Sequence, residues 1–205
     1  MLEIIDKLNS RKPDLMGREN YFLSAVLIPL VKGEDEFEVL FEVRSRELTR
    51  QPGEICFPGG RVEKNERNRP ELAAVREAAE ELGLPKKAIR VLTPMDFLVT
   101  PMGPLVYPFV GEILSPGGII PSQDEVERVF TVPVSFFLNN PPKVSKTYVA
   151  TRYGEDFPLD RVPEVYRGGW KKRWSFPTYI YEYREYFIWG MTATILYNFI
   201  SMIKD

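Results

Sequence analysis

The sequence predicts an α/β domain, on three observations. Strand-like runs outnumber helical ones, one helix is punctuated at both ends, and 44% of the 205 residues are hydrophobic, enough for a sizeable core. The 27 Lys and Arg against 29 Asp and Glu leave a net charge of −2, which gives no electrostatic case for nucleic acid as the partner. The single cysteine excludes an intrachain disulfide and suits a reducing, cytoplasmic setting. Histidine is absent. That removes Ser-His-Asp and Cys-His schemes and His-ligated zinc, so any chemistry must run on carboxylates, Lys/Arg, hydroxyls and bound metal. Charges spread through residues 1–12 leave no signal-like apolar run, and the longest apolar stretch, 25–31, is far short of the about 20 residues a membrane span needs. The expectation is one soluble domain over 1–205, with no membrane partner and compatible with a homodimer.

The elements follow in order. Residues 2–8 read as a short amphipathic helix inside an N-terminal extension, 1–20. Segments 21–31 and 37–43 are strand-like, and Lys32-Gly33-Glu34-Asp35-Glu36 is the turn of a hairpin. Gln51-Pro52-Gly53 and Pro58-Gly59-Gly60 are tight turns on either side of Ile55-Cys56-Phe57, a short strand with a buried, inert thiol. Residues 69–82 form the strongest helix, with Asn68 as N-cap, Pro70 in the first turn, Glu71 at the capping-box position and Gly83 as terminator. Strands are expected at 89–99, 105–114, 148–152 and 178–183, and at 125–131 leading into a short helix near Phe136. Residues 189–203 read as a helix, with Ile195, Leu196, Phe199 and Ile203 on one stripe and Trp189 as a core anchor.

The strong helix carries an odd charge pattern. Leu72, Val75, Ala79 and Leu82 mark an apolar face, while Glu77, Glu80 and Glu81 lie opposite at i, i+3, i+4, with Arg76 beside them. One reading is a solvated acidic face. Against it, each like-charge pair costs about 0.2–0.5 kcal/mol. Placement at the negative end of the helix dipole costs about 0.3–1 kcal/mol more for each carboxylate. The other reading is a site for a hard divalent cation, which takes oxygen ligands with negative charge.

Gly60, Glu66 and Arg76-Glu77-Ala78-Ala79-Glu80-Glu81-Leu82-Gly83-Leu84 resemble the Nudix box, Gly-x5-Glu-x7-Arg-Glu-U-x-Glu-Glu-x-Gly-U with U apolar. The second half matches at every specified position. Nine residues separate Glu66 from Arg76 where the pattern has seven, a two-residue insertion that leaves Glu66, Asn68 and Glu71 as candidates for the first glutamate. Arg44-Ser45, Gly53, Phe57-Pro58-Gly59-Gly60, Asp124-Glu125-Val126 and Ile188-Trp189-Gly190-Met191-Thr192-Ala193 are similar to segments of coenzyme A pyrophosphatases. Where those enzymes carry an arginine four residues before the glycine, this chain has Thr49, with Arg50 next to it.

The resemblance implies a Nudix α/β/α sandwich with a mixed sheet and a loop–helix–loop box over 59–84. It implies hydrolysis of a nucleoside diphosphate-linked substrate, foremost coenzyme A or a derivative, to 4′-phosphopantetheine and 3′,5′-ADP. The alternatives are a pyrophosphatase of ADP-ribose, NADH or an oxidised nucleotide, and a non-catalytic nucleotide sensor. Mg²⁺ or Mn²⁺ is implied as cofactor, with Glu77, Glu80, Glu81 and the Gly59 carbonyl as ligands. Arg76 would orient the glutamates, and Gly60 would serve through its backbone. Glu125 is the candidate general base, or else a strand-edge charge. Arg44 is a phosphate contact, or else a salt bridge at a strand end. Lys171, Lys172 and Arg173, flanked by Trp170 and Trp174, are candidates for binding a distal phosphate. The plainer reading, a basic strand edge that deters sheet association, ranks ahead for them.

Overall fold

The computed structural model describes residues 21–101 and 103–204, with Ile5, Asn9 and 15–17 besides. The expected helix at 2–8 therefore lies outside the described residues, save Ile5, which is helical. Strands β1 (Phe22–Lys32) and β2 (Phe37–Arg44) form the expected hairpin, closed by Gly33 N–H donating to Glu36 O at 2.8 Å. Their alternation sorts side chains to two faces. Leu23, Ala25, Leu27 and Leu40 join one core cluster, and Ile28, Val39 and Phe41 the other.

After β2 come two short strands, β3 (Ile55–Cys56) and β4 (Gly59–Arg61), then helix α1 (Glu71–Leu82). Strands β5 (Ile89–Pro94), β6 (Leu98–Val99), β7 (Pro104–Ile113) and β8 (Val126–Pro133) complete an eight-stranded sheet with the path β3-β2-β1-β7-β5, β4 pairing with β1, β6 with β7 and β8 with β2. Strand β1 runs parallel to β7 over ten residue pairs, and the remaining pairings are antiparallel, so the sheet is mixed. The strand expected over 89–99 is thus two, parted after Pro94. One edge of β1 pairs with β4 at residues 24–26 and with β2 only from residue 30. Leu27 N–H points into that gap, to Pro58 O at 2.9 Å. Strand alternation sends Pro29 the same way, where no ladder donor is needed. The turn before Gly59 enters the sheet there.

Helix α1 covers one face. The other is covered by α2 (Val134–Asn139), α3 (Gly190–Ile203) and a second, three-stranded sheet of β9 (Lys143–Thr151), β10 (Lys171–Tyr183) and β11 (Tyr186–Trp189), ordered β11-β10-β9. This is the expected α/β/α sandwich, with a small sheet added to one layer. Phe41, Leu27, Ile28, Leu82 and Leu196 are among its fully buried anchors, each worth about 1.5–3 kcal/mol of apolar burial. Strands β9 and β10 run well beyond the expected 148–152 and 178–183, because two exposed strands with mixed polarity on both faces lack the alternation that marks a strand. Strand β11 occupies what reads as the approach to a helix, so Trp189 ends a strand rather than starting α3.

Candidate active site

Helix α1 lies against the sheet on alanines. Ala73, Ala74, Ala78, Ala79 and Leu82 are buried, whereas Leu72 is 42% exposed. The buried stripe is therefore rotated from the Leu72–Val75–Ala79–Leu82 face expected from hydrophobicity, because four small side chains allow close approach where larger ones would hold the helix off. The rotation carries Glu81 inward to 4% exposure and leaves the Glu80 side chain 59% exposed. Glu77, Glu80 and Glu81 thus form a graded row from half-buried to exposed to buried.

The Gly-Gly turn fits this row. Gly59 N–H donates to Glu81 Oε2 at 2.8 Å, and a Cβ at Gly59 would stand 2.4 Å from Ala25 O. A Cβ at Gly60 would stand 2.4 Å from the Glu77 carboxyl carbon. Both glycines permit a close approach that a side chain would block. Gly83 ends the helix at φ +65, and a Cβ there would lie 2.1 Å from Ile120 O. Through that contact the next loop seals the helix end: Ile120 N–H donates to Leu82 O at 3.0 Å and Ser122 N–H to Glu81 O at 2.9 Å. Glu125, exposed at the end of this loop, is brought to the same cluster, where its charge raises the pKa of Glu42, Glu77 and Glu81.

Glu66 resolves the insertion. It is 7% exposed and takes Arg76 in a two-point grip, Nε to Oε1 and Nη2 to Oε2, both at 3.0 Å. Arg76 also donates to Glu77 Oε1 at 2.7 Å and to Arg61 O at 3.1 Å, and Glu80 Oε2 lies 3.7 Å away. The hydrogen bonds from Arg76 hold the Glu66 carboxyl below the usual carboxylate range and push the guanidinium's own pKa up. The two extra residues fall in the turn ahead of α1, where Pro70, not Asn68, is the N-cap and no side chain caps the helix. The capping box sits instead on the short helical turn at Lys64–Glu66, between Glu63 and Glu66. Glu71 is spent on a surface pair with Arg69 at 2.8 Å.

One carboxylate escaped the sequence reading. Glu42, in the middle of β2, is 1% exposed, and its Oε1 has no hydrogen-bond partner. Burial pushes its pKa well up, and the Glu81 charge pushes it further. Glu81 is pushed up to about 8, first by burial and then by Glu77 and Glu125, against the Gly59 hydrogen bond and Arg44. Burial also raises Glu77, against Arg76. Cys56, opposite Glu42 in the β2–β3 pair, has its thiol pKa raised by burial and by both carboxylates, so it is no nucleophile. Arg44 Nε is buried without a partner. Among the described residues Arg44 forms no salt bridge, which departs from the strand-end pairing the sequence allowed.

A cleft of about 670 Å³ opens beside the glycine turn, lined by Gly59 and Gly60, the cations Arg44 and Arg50, and the apolar Val26, Phe57 and Val106. Trp189, 47% exposed, forms part of its wall, so it is not the core anchor the sequence suggested. Thr192 Oγ1 donates to Ile55 O at 3.0 Å and fixes α3 to the other side of the cleft. Lys171, Lys172 and Arg173 do not line it. They lie on β10 in the small sheet, where Lys172 Nζ stands 3.6 Å over the Tyr148 ring and Arg173 Nε donates to Thr151 Oγ1 at 2.6 Å.

The donor set suits a hard divalent cation: carboxylate oxygens in negative surplus, one of them buried and orphaned. As placed, no three acidic side chains among the described residues stand together as a ready site. Arg76 draws off Glu77, and the Gly59 amide holds Glu81. The chemistry of these donors fits such a cation.

Residues 21–149 match the NUDIX domain family. The chain is 36% identical over 154 residues to the peroxisomal coenzyme A diphosphatase NUDT7 of Mus musculus, which covers 74% of this chain and 64%, under two thirds, of the mouse protein. It is 30% identical over 182 residues to an uncharacterized Nudix hydrolase, NudL, of Pectobacterium atrosepticum, covering 89% of this chain and 83% of that one. Against NudL of Escherichia coli K12 it is 33% identical over 177 residues, covering 86% and 80%. No described helix is long and apolar enough to cross a membrane.

Proposed function

The chain belongs to the Nudix hydrolase family, and from that premise we propose that it is a coenzyme A pyrophosphatase acting through one catalytic domain. The substrate would be coenzyme A or a derivative, split to 4′-phosphopantetheine and 3′,5′-ADP. The observation that carries this reading is the cleft lined by Gly59 and Gly60, which sets two cations and an aromatic wall on the glycine turn that Glu81 and Glu77 approach. A pyrophosphate linkage needs cations, and a nucleotide or pantetheine arm needs an apolar surface. The similarity to the mouse coenzyme A diphosphatase supports the same substrate class.

Glu77, Glu80, Glu81 and the Gly59 carbonyl would hold Mg²⁺ or Mn²⁺. Bound there, the cation supplies neutralisation of the pyrophosphate charge and activation of the attacking water. Arg76, itself oriented by Glu66, holds Glu77 in its place in the row. Arg44 and Arg50 would contact the phosphates. Glu125 would accept the proton of the attacking water, a role supported by the hydrogen bonds that tie its loop to the end of α1.

A panel of coenzyme A, dephospho-coenzyme A, ADP-ribose, NADH and 8-oxo-dGTP, with mass detection of both products, tests the reading. Fastest turnover is expected on coenzyme A or one of its thioesters. Preference for ADP-ribose, NADH or the oxidised nucleotide would replace it by the corresponding alternative, and no turnover with any of them would favour a binding module.

A further inference from the structure

We propose that Glu42 is a cation ligand of this site, reaching it from the strand side in addition to the glutamates of the helix. The proposal rests on reading the cluster as a cation site. It goes beyond that reading by adding a residue that stands outside the box.

The placement is the first argument. Glu42 lies between β3 and β8, opposite Cys56 on one side and Val129 on the other. Its neighbours Phe41 and Val43 point to the opposite face, where Phe41 stacks on Phe57 and Phe130. Glu42 therefore shares the face of Leu40, the one α1 covers, and Glu81 is turned in from α1 toward the same face. Of the charges that act on Glu42, Glu81 acts most strongly, then Arg44, then Glu125. At 1% exposure the carboxylate is closed off from solvent on the face that α1 covers.

The second argument is the missing partner. A buried carboxylate is normally matched by a cation and by hydrogen bonds to each oxygen, as Glu66 is. Glu42 Oε1 has none, and the nearest cation, Arg44, leaves its own Nε unpaired. Arg76 cannot serve, because Glu66 and Glu77 already take it. An unmatched buried carboxylate is among the most costly groups a core can contain. A chain needing only to fill this space could place an apolar side chain there, as it does two residues earlier with Leu40. Glu81 bears on Glu42 with like charge and Glu77 bears on Glu81, a surplus of carboxyl oxygens over cations on this side of the sheet. A hard divalent cation is the ligand that such a surplus takes.

Titration of the 205-residue protein with Mn²⁺, read as the loss of free-ion paramagnetic resonance signal, tests the assignment without reference to turnover. Wild type, Glu42→Gln and Glu81→Gln are compared, each also melted in chelator. The expected result for Glu42→Gln is about a 10- to 100-fold loss of Mn²⁺ affinity, with a melting temperature in chelator at or above wild type. Wild-type affinity in Glu42→Gln together with weakened binding in Glu81→Gln would overturn the role of Glu42 and leave the cation site of the helix standing. Absence of Mn²⁺ binding by wild type, or indifference of binding to Glu81→Gln, would overturn both. Should Glu42→Gln fail to fold, Glu42→Asp keeps the charge on a shorter stem. It is expected to weaken Mn²⁺ binding by a smaller factor, and unchanged affinity there overturns the assignment.

Discussion

Arg76 and Arg44 stand near the same glutamate row, and they are used in opposite ways. Arg76 is saturated: both Glu66 oxygens, Glu77 and the Arg61 carbonyl accept from it. Arg44 has a buried Nε with no partner, and the carboxylate two residues before it in β2, Glu42, has an unpartnered oxygen. The contrast separates two jobs. A carboxylate–guanidinium pair that satisfies itself fixes geometry and leaves nothing over for a ligand. A buried carboxylate and a guanidinium left incomplete, beside a cleft, keep their bonding capacity for whatever enters. Glu66 is spent on the scaffold, and on the proposed reading Glu81 and Glu42 are left for the cation.

The largest expected effect breaks the unsatisfied side. Glu81→Gln and Glu80→Gln should each lower turnover by orders of magnitude in steady-state assays, because each removes a charged oxygen from the cation set. Glu81→Gln should nonetheless melt no lower than wild type in chelator, since it removes a carboxylate held in a repulsive, buried place. Near-normal turnover in either variant would remove that residue from the catalytic set. Glu66→Ala should do the reverse. Loss of the two-point grip leaves Arg76 partly unmatched, at a cost of about 3 kcal/mol in denaturant unfolding. A variant that kept wild-type stability while losing activity would show that Glu66 belongs with the ligands instead.

The two clusters also fail at opposite ends of the pH scale. Glu66 has a lowered folded pKa, so its contribution is present above its ordinary value of 4.5 and is lost as pH falls through the folded pKa. Glu81 has a folded pKa of about 8. The folded state therefore binds that proton more tightly than the unfolded chain, and stability declines as pH climbs from about 5 toward 8. Thermal melts in chelator should fall at both extremes. The alkaline slope should flatten in Glu81→Gln, and the acid slope in Glu66→Ala. A melt in chelator that rises from pH 5 to 8 would contradict the raised Glu81 value.

The helix side of the site was legible in the sequence and the strand side was not. Arg76, Glu77, Glu80 and Glu81 announce themselves because like charges at i, i+3 and i+4 near a helix end make poor sense as stabilisation. Glu42 has no such mark. In Phe37-Glu38-Val39-Leu40-Phe41-Glu42-Val43-Arg44 one face reads Phe, Val, Phe, Val and the other Glu, Leu, Glu, Arg, the ordinary pattern of a strand with one wet face. Only the arrival of α1 on that face buries it, and a helix packed on alanines gives little warning of where it will land. Trp189 was misplaced for a related reason. Its neighbours are apolar, but β11 ends there and turns it into the wall of a cleft that no local pattern encodes.

The smallest expected effect concerns the basic cluster, and it bears on which cations belong to the open side. Lys171, Lys172 and Arg173 form a dense run of charge, and a distal phosphate calls for such charge. In the structure Lys172 is engaged by Tyr148 and Arg173 by Thr151, both on β9, while Arg152 stands over Trp170. The first two contacts cross between β9 and β10, and the stretch of β10 before Ile180 is unpaired on its other side, an edge where charge discourages pairing with other chains. Arg44 and Arg50 are the cations that line the cleft. Replacing Lys171, Lys172 and Arg173 together with Gln should therefore shift KM for coenzyme A and for dephospho-coenzyme A equally and by little, while Arg50→Gln should raise KM several-fold for at least coenzyme A. A rise confined to coenzyme A in the triple variant would mean that β10 reaches the substrate after all, and the division drawn between Arg44 and Arg76 would then have to admit a third group of cations.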